Sequence, residues 1–320
     1  MLTGLHHYTA VTGDAPRNYA FYTQTLGMRL IMKTVNQDDL TAYHLFYGDT
    51  DGEAGSEITF FDWPRIAQNR EGANTISAMG LRVADGALEY WTARFASLGV
   101  AHDDISHRAQ RRTLKFQDPD GNRLMLIEDG AAPKGRPWTG SSVPSQLGIY
   151  GLGHATITLA RANPSSAVLT EVFGFALTGE YHAPEDGLPV QVYAMGAGGA
   201  ATEIHVAVRP NLPHGRLGIG GVHHVAFRTP HGAMLSDWRQ RLIAGGLQPT
   251  PLIDRQYNQM IYVREPSSIL FEIATDGPGF GAYVNAEHFG ERLELPDFLE
   301  SRRVQIEAGL RPLPTAVADQ

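Results

Sequence analysis

Three histidines, His7, His154 and His224, stand at the head of short runs that alternate as strands do: HYTAV, HATIT and HVAFR. Imidazoles on inward strand positions facing one cavity are candidate metal ligands. A carboxylate occupies a comparable place, because Glu272 lies in the apolar run Ile269-Leu270-Phe271-Glu272 that follows the turn Glu265-Pro266. An ionised carboxylate buried there is costly unless a cation or a hydrogen-bonding partner meets it. His224 and Glu272 therefore make two ligands of a candidate site. A second histidine would complete a two-His-one-carboxylate set, which leaves positions open on a non-haem Fe(II). That third ligand is His154 if the segments around 154 and 224 pair, and His7 if those around 7 and 224 do. The doublet Leu5-His6-His7-Tyr8, echoed by Val222-His223-His224-Val225, favours His7.

The elements that position these groups repeat four times. Runs beginning at His7, Met79, His154 and His224 each lead through a helical stretch to a glycine, at Gly27, Gly99, Gly174 and Gly245. Glycine suits a left-handed helix cap. Further strands follow, joined in the second unit by the turn Asp118-Pro119-Asp120-Gly121-Asn122. The unit reads as βαβββ, and the chain as an α+β fold of four such modules paired into two half-open barrels. Residues 1–130 carry the first pair of modules, 131–150 a linker rich in Gly, Pro and Ser, and 151–275 the second pair. A C-terminal extension, 276–320, is expected to contain an amphipathic helix from Asp297 to Leu310. An apolar cavity lining is expected from Phe60, Phe227 and Phe271.

Composition narrows the function. The 320 residues hold 26 Lys and Arg against 34 Asp and Glu, a net charge of −8. Nucleic-acid binding is not expected, since phosphate backbones are held by a surplus of basic side chains. The basic run His107-Arg108-Ala109-Gln110-Arg111-Arg112 reads instead as a solvated strand or loop. With no cysteine, thiolate metal sites, iron–sulfur clusters and cysteine nucleophiles are excluded. No apolar stretch reaches the length of a membrane span and no signal peptide opens the chain, so the expectation is a cytoplasmic protein without a membrane partner. Gly196-Ala197-Gly198-Gly199 and Gly218-Ile219-Gly220-Gly221 match no phosphate-binding fingerprint and read as turns.

Together the four modules and their histidines resemble the vicinal oxygen chelate superfamily of glyoxalases, extradiol dioxygenases and fosfomycin-resistance proteins. Within it, several pieces are similar to the hydroquinone-specific ring-cleaving dioxygenases. These are the doublets His6-His7 and His223-His224, the run Asp254-Arg255-Gln256-Tyr257, Tyr262 before Glu265-Pro266, Phe271-Glu272-Ile273-Ala274-Thr275-Asp276, and Leu293-Glu294-Leu295-Pro296. The resemblance implies Fe(II), or Mn(II) as in some members, held by His7, His224 and Glu272. It implies a small aromatic substrate cleaved with O2, with Arg255, Tyr262, His6 and His223 as catalytic groups beside the metal. Homo-oligomerisation is left open. Two rivals share the scaffold: a glyoxalase-like isomerase or transferase, and a metal-free drug- or quinone-binding protein. Neighbours on a regular strand point to opposite faces, so His6 and His223 reach the cavity side only if a bulge turns them.

Overall fold

Each module opens with a strand buried on both faces, because a helix covers one side and a concave cavity or plug the other. In β1 (Leu5–Thr12) every residue is buried, yet the side chains still alternate in chemistry. Tyr8 and Ala10 enter the hydrophobic core beneath the helices, whereas His7 and Thr9 line a cavity. The computed structural model describes residues 1–131, 134–313 and 315. The rest of the first module is α1 (Ala15–Ala20), a π-helical turn Phe21–Thr25, and β2 (Arg29–Asn36), β3 (Asp39–Gly48) and β4 (Glu57–Asp62). The second comprises β5 (Thr75–Val83), α2 (Leu88–Leu98), β6 (Ser106–Arg108), β7 (Arg111–Gln117) and β8 (Arg123–Glu128). The third has β9 (Gly151–Leu159), α3 (Asn163–Ala167) with a π-helical turn Val168–Val172, β10 (Ala176–His182), β11 (Pro189–Ala194) and β12 (Glu203–Val208). The fourth has β13 (Val222–Thr229), α4 (Ala233–Ala244), β14 (Ile253–Asp254), β15 (Gln259–Arg264) and β16 (Leu270–Thr275). Helix ends fall at left-handed glycines in three modules, Gly27, Gly99 and Gly174; in the fourth that role passes from Gly245 to Gly246, at φ 79°.

The strands form two eight-stranded sheets, β14-β15-β16-β13-β1-β4-β3-β2 and β10-β11-β12-β9-β5-β8-β7-β6. Each is the α+β arrangement of paired βαβββ modules expected from the repeat. The first module pairs with the fourth through antiparallel β1 and β13, and the second with the third through β5 and β9. Each sheet thus takes one module from either side of the 131–150 linker. The connections 63–74 and 209–221 run side by side between the sheets, bridged at Gln68 and Ile219, Arg70 and Arg216, and Ala73 and His214. Across the sheets, the Tyr8 hydroxyl donates to the Gly153 carbonyl at 2.5 Å.

The basic run is only partly solvated: His107 and Gln110 are exposed as expected, but Arg108 is buried. It forms the β6–β7 hairpin, where Arg108 is 5% exposed and pairs with Glu185, and Arg111 grips Glu203. Opposite charges offered by the neighbouring third module make burial affordable there. The C-terminal helix is also different. It is broken into α5 (Asp297–Glu300) and α6 (Arg303–Gly309), with Arg302 at φ −106° and ψ 5°. The apolar residues do not form one stripe: Leu299 and Ile306 are buried while Phe298 and Val304 are exposed, and the break lets both buried residues turn inward. Ahead of it, the Glu294 amide donates to the Lys33 carbonyl at 2.8 Å, so the extension covers the β2 edge. Residues 314 and 316–320 of that extension, and 132–133 of the linker, lie outside the described residues. Among the described residues, no helix is long and apolar enough to cross a membrane.

Gly220 introduces β13 with φ 83°, and a Cβ there would lie 2.1 Å from the Asp120 carbonyl oxygen of the second module. Gly220→Ala is expected to cost about 1–3 kcal/mol from backbone strain alone, plus the clash, and to lower Tm by several degrees in a thermal melt.

Candidate metal centre

The β1–β13 seam brings the sequence's three donors to one point. His7 Nε2 lies 3.1 Å from His224 Nε2 and 3.4 Å from Glu272 Oε2, and His224 Nε2 lies 2.9 Å from the same oxygen. Two ligand atoms at right angles around an ion, each about 2.1 Å from it, are about 3.0 Å apart. The donor set therefore suits one face of a small octahedral cation. Glu272 is wholly buried, and neither carboxylate oxygen finds a hydrogen bond of acceptable geometry despite the nearby imidazoles. That orphaned anion is the observation that fits a cation here. Burial pushes Glu57, beside His7 on β4, up to about 8 against the opposing pull of His7.

The Glu272 carboxylate also acts on the two imidazoles beside it. Burial depresses His7, but the Glu272 carboxylate outweighs it and the net pKa is raised; His224, with burial dominant, is lowered. Burial raises Glu272, but the His7 charge and the close approach of both imidazoles outweigh it and hold the carboxyl well below its usual range. The carboxylate thus pulls the two rings in the direction of charge unequally, where a divalent ion would serve both.

His6 and His223 set the orientation of those rings. Both occupy β-bulges. Between Leu5 and His7 the partner strand advances only from Phe227 to Ala226, and between Thr9 and Ala10 it passes from His224 to Val222. His6 and His223 are the extra residues, which breaks the alternation that would otherwise keep them apart from their neighbours. His6 Nδ1 meets His7 Nδ1 at 2.9 Å, and His223 Nδ1 meets His224 Nδ1 at 2.7 Å. For the first pair the proton positions follow. The Thr275 carbonyl can only accept, so His6 Nε2, 3.1 Å away, carries the hydrogen. Burial, then the His7 charge, holds His6 neutral with a pKa of about 3, so its Nδ1 is an acceptor. His7 Nδ1 must donate to it, and His7 Nε2 is left to face the ion. His223 is lowered to about 3 by burial and then by His224, and its ring lines the cavity as well.

The cavity beyond these donors measures about 370 Å³, room for one substituted ring. Tyr262 lines it with its ring 5.4 Å from that of His224, and burial followed by the Glu272 charge keeps its hydroxyl protonated. Arg255 lines the far side, donating to Gln37 at 2.5 Å. The expected lining is corrected. Phe60 packs against Tyr22 and Tyr47, and Phe227 and Phe271 against Phe173, all in the core behind the sheet. Period-two alternation turns those three positions away, and Phe46, Phe61, Trp63 and Tyr257 supply the aromatic wall. Sequence reading also missed His44 and Thr9, which line the cavity. Thr9 could have been found, since it shares the inward period with His7; His44 stands in no motif.

His154 lies elsewhere. It is buried in the second sheet, its ring stacked on His205 at 3.5 Å and 10°. Lone pairs of parallel rings do not converge on one ion, and the nearby Glu203 is already held by both Arg111 amines at 2.8 and 2.9 Å. Accordingly, His7→Ala should abolish retention of a divalent metal through desalting, read by elemental analysis, while His154→Ala should retain it. His6→Ala, which frees the back of the His7 ring, should weaken metal affinity by about 10–100-fold without abolishing it.

The family model of the Glyoxalase/Bleomycin resistance protein/Dioxygenase superfamily matches residues 4–126 and 151–273. The chain is 43% identical over 314 residues to "Putative ring-cleaving dioxygenase MhqA" of Bacillus subtilis strain 168, covering 98% of this chain and 99% of that relative. It is 31% identical over 309 residues to "Chlorohydroquinone/hydroquinone 1,2-dioxygenase" of Sphingobium indicum, covering 93% and 92%. The crystal structure of a "putative dioxygenase" from Bacillus subtilis superposes with a TM-score of 0.89 at 33% identity, over 99% of each chain. Maize glyoxalase I, at 14% identity and a TM-score of 0.61 over 85% of this chain and 92% of its own, shares the fold alone. With both halves of the chain matched, and whole-length relatives named for ring cleavage, the protein belongs to the Glyoxalase/Bleomycin resistance protein/Dioxygenase superfamily, in its dioxygenase class.

Proposed function

We propose that this protein is an extradiol-type, Fe(II)-dependent dioxygenase that cleaves the ring of a hydroquinone-type phenol with O2. The observation that carries this reading is the convergence of His7, His224 and Glu272 on one point at the end of an aromatic-walled cavity. The Sphingobium indicum relative, named for chlorohydroquinone and hydroquinone, supports the substrate class. A glyoxalase-type closed set of four protein ligands is not favoured, since this cluster among the described residues has three members. A purely binding protein would gain nothing from an orphaned buried carboxylate.

His7, His224 and Glu272 would hold the ion, with the His6 and His223 rings fixing the direction of the two imidazoles. Fe(II) held by these three residues would supply a Lewis acid for a phenol hydroxyl and a redox centre between the ring and O2. The chain does the rest. Phe61 and Trp63, stacked 4.9 Å apart, offer a flat wall to the ring. Tyr262, protonated at neutral pH, donates a hydrogen bond to oxyanion charge as it develops. Arg255, tethered to Gln37 on the turn between β2 and β3, offers a cation from the opposite side and closes the seam between the first and fourth modules. Pro296, Asp297 and Phe298 flank an adjoining groove that also includes Arg255 and Gln37, so the C-terminal extension borders the mouth.

Anaerobic purification, loading with Fe(II) or Mn(II), and oxygen-electrode recording tests the proposal. Uptake with hydroquinone and none with catechol is expected. Uptake with catechol alone would move the enzyme to the catechol-cleaving extradiol group, and no uptake with stoichiometric metal bound would overturn the oxygenase reading. Tyr262→Phe, which keeps the ring and removes the donor, should lower kcat by about 10²-fold or more with metal content unchanged.

A further inference from the structure

A line of hydrogen-bonding groups runs across three neighbouring strands of the first sheet and begins beside the metal-binding residues. Thr9 on β1 lies two positions after His7 and lines the same cavity. Its hydroxyl meets that of Thr59, its register partner on β4, at 2.8 Å. Thr59 Oγ1 in turn meets His44 Nε2 of β3 at 3.0 Å. Both threonines are fully buried, whereas His44 is partly exposed and lines the cavity. The His44 ring is gripped between Phe46 at 4.0 Å and Phe61 at 4.5 Å, so its direction is set by packing. A hydroxyl both donates and accepts, and two in series connect a buried position of the cavity lining to a less buried imidazole.

We propose that His44 is the proton acceptor of the reaction, drawing the substrate's hydroxyl proton through Thr9 and Thr59. The inference rests on the ring-cleavage reading above and adds to it the route by which the phenol becomes a phenolate. The substrate O–H bond breaks and leaves its electron pair on oxygen. Thr9 receives that proton as its own passes to Thr59, and the proton of Thr59 forms a new N–H bond at His44 Nε2. Each hydroxyl ends as it began, the substrate has lost one proton, and His44 has become imidazolium. His44 is neutral beforehand, because burial, then the charges of His7, His224 and Arg255, hold it well below the usual histidine range against the pull of Glu272. The negative charge left on a phenolate in the cavity that His44 also lines stabilises the imidazolium.

The test uses the metal-loaded protein and hydroquinone, first without oxygen. Calorimetric titration in buffers of different ionisation heat counts the protons released on binding. The wild type is expected to keep a proton that Thr59→Val and His44→Phe release to buffer, a difference approaching about one proton per site. With oxygen, both variants should lose about 10²-fold in kcat with metal content retained, and Thr59→Ser should restore the wild-type proton count and rate. Equal proton counts in wild type and Thr59→Val, with kcat within about twofold, would overturn the proposal. Should His44→Phe not fold, the Thr59→Val and Thr59→Ser pair decides alone. The anaerobic count is independent of oxygen chemistry, so a wild type that retains the proton but consumes no oxygen would refute the oxygenase reading and leave the relay standing.

Discussion

A carboxylate with no solvent and no well-aligned hydrogen bond must be met by positive charge, and Glu272 imposes that requirement on the first sheet. It is buried by its neighbours on β13 and β15, Ala226 and Tyr262, and the two imidazoles across the β1–β13 seam come within 3.4 Å. Desolvating such an ion costs several kcal/mol even after relaxation. A cation held between the two imidazoles would offset it. The second sheet meets a similar demand with a different answer. Its buried Glu203 is gripped by Arg111, a charge fixed to the chain, and the stacked His154 and His205 stay neutral as burial lowers them both. Two half-barrels of one design thus diverge at a single choice of counter-charge, exchangeable in one and permanent in the other.

Backbone irregularity supplies what side-chain identity could not. A regular ladder would put His6 and His223 on the face opposite His7 and His224, with their rings in different layers. Two bulges, one on each strand of the seam, put each extra histidine behind its neighbour's ring. The ladder gives up local pairing there, and the two ring nitrogens that approach Glu272 gain fixed direction in return. The symmetry of the arrangement, a doublet on each strand, follows from the pairing of two homologous modules.

Repetition made the architecture legible. Four similar runs, each ending in a glycine, are visible because the strand and helix periods are local properties of the chain, and the donors His7, His224 and Glu272 stand out because polar groups interrupt apolar strands. Less visible was the lining: Phe60, Phe227 and Phe271 are as apolar and strand-bound as Phe46 and Phe61, and only the register of the sheet says which side of it each occupies. His44 carries no signal of its own, since its contact with Thr59, two residues from its register partner Phe61 on β4, exists only in the folded sheet.

The order of residues alone therefore determined the module, its fourfold recurrence, the absence of thiolate chemistry and the set of donors from which a site could be drawn, since each of these is written in local spacing and composition. Which modules pair was decided only in three dimensions, where β1 meets β13 rather than β9 meeting β13. That choice brought His7 to His224 and sent His154 to the opposite sheet. Pairing between strands far apart in the chain depends on which surfaces can be buried together, a property of the assembled sheets that no local pattern carries.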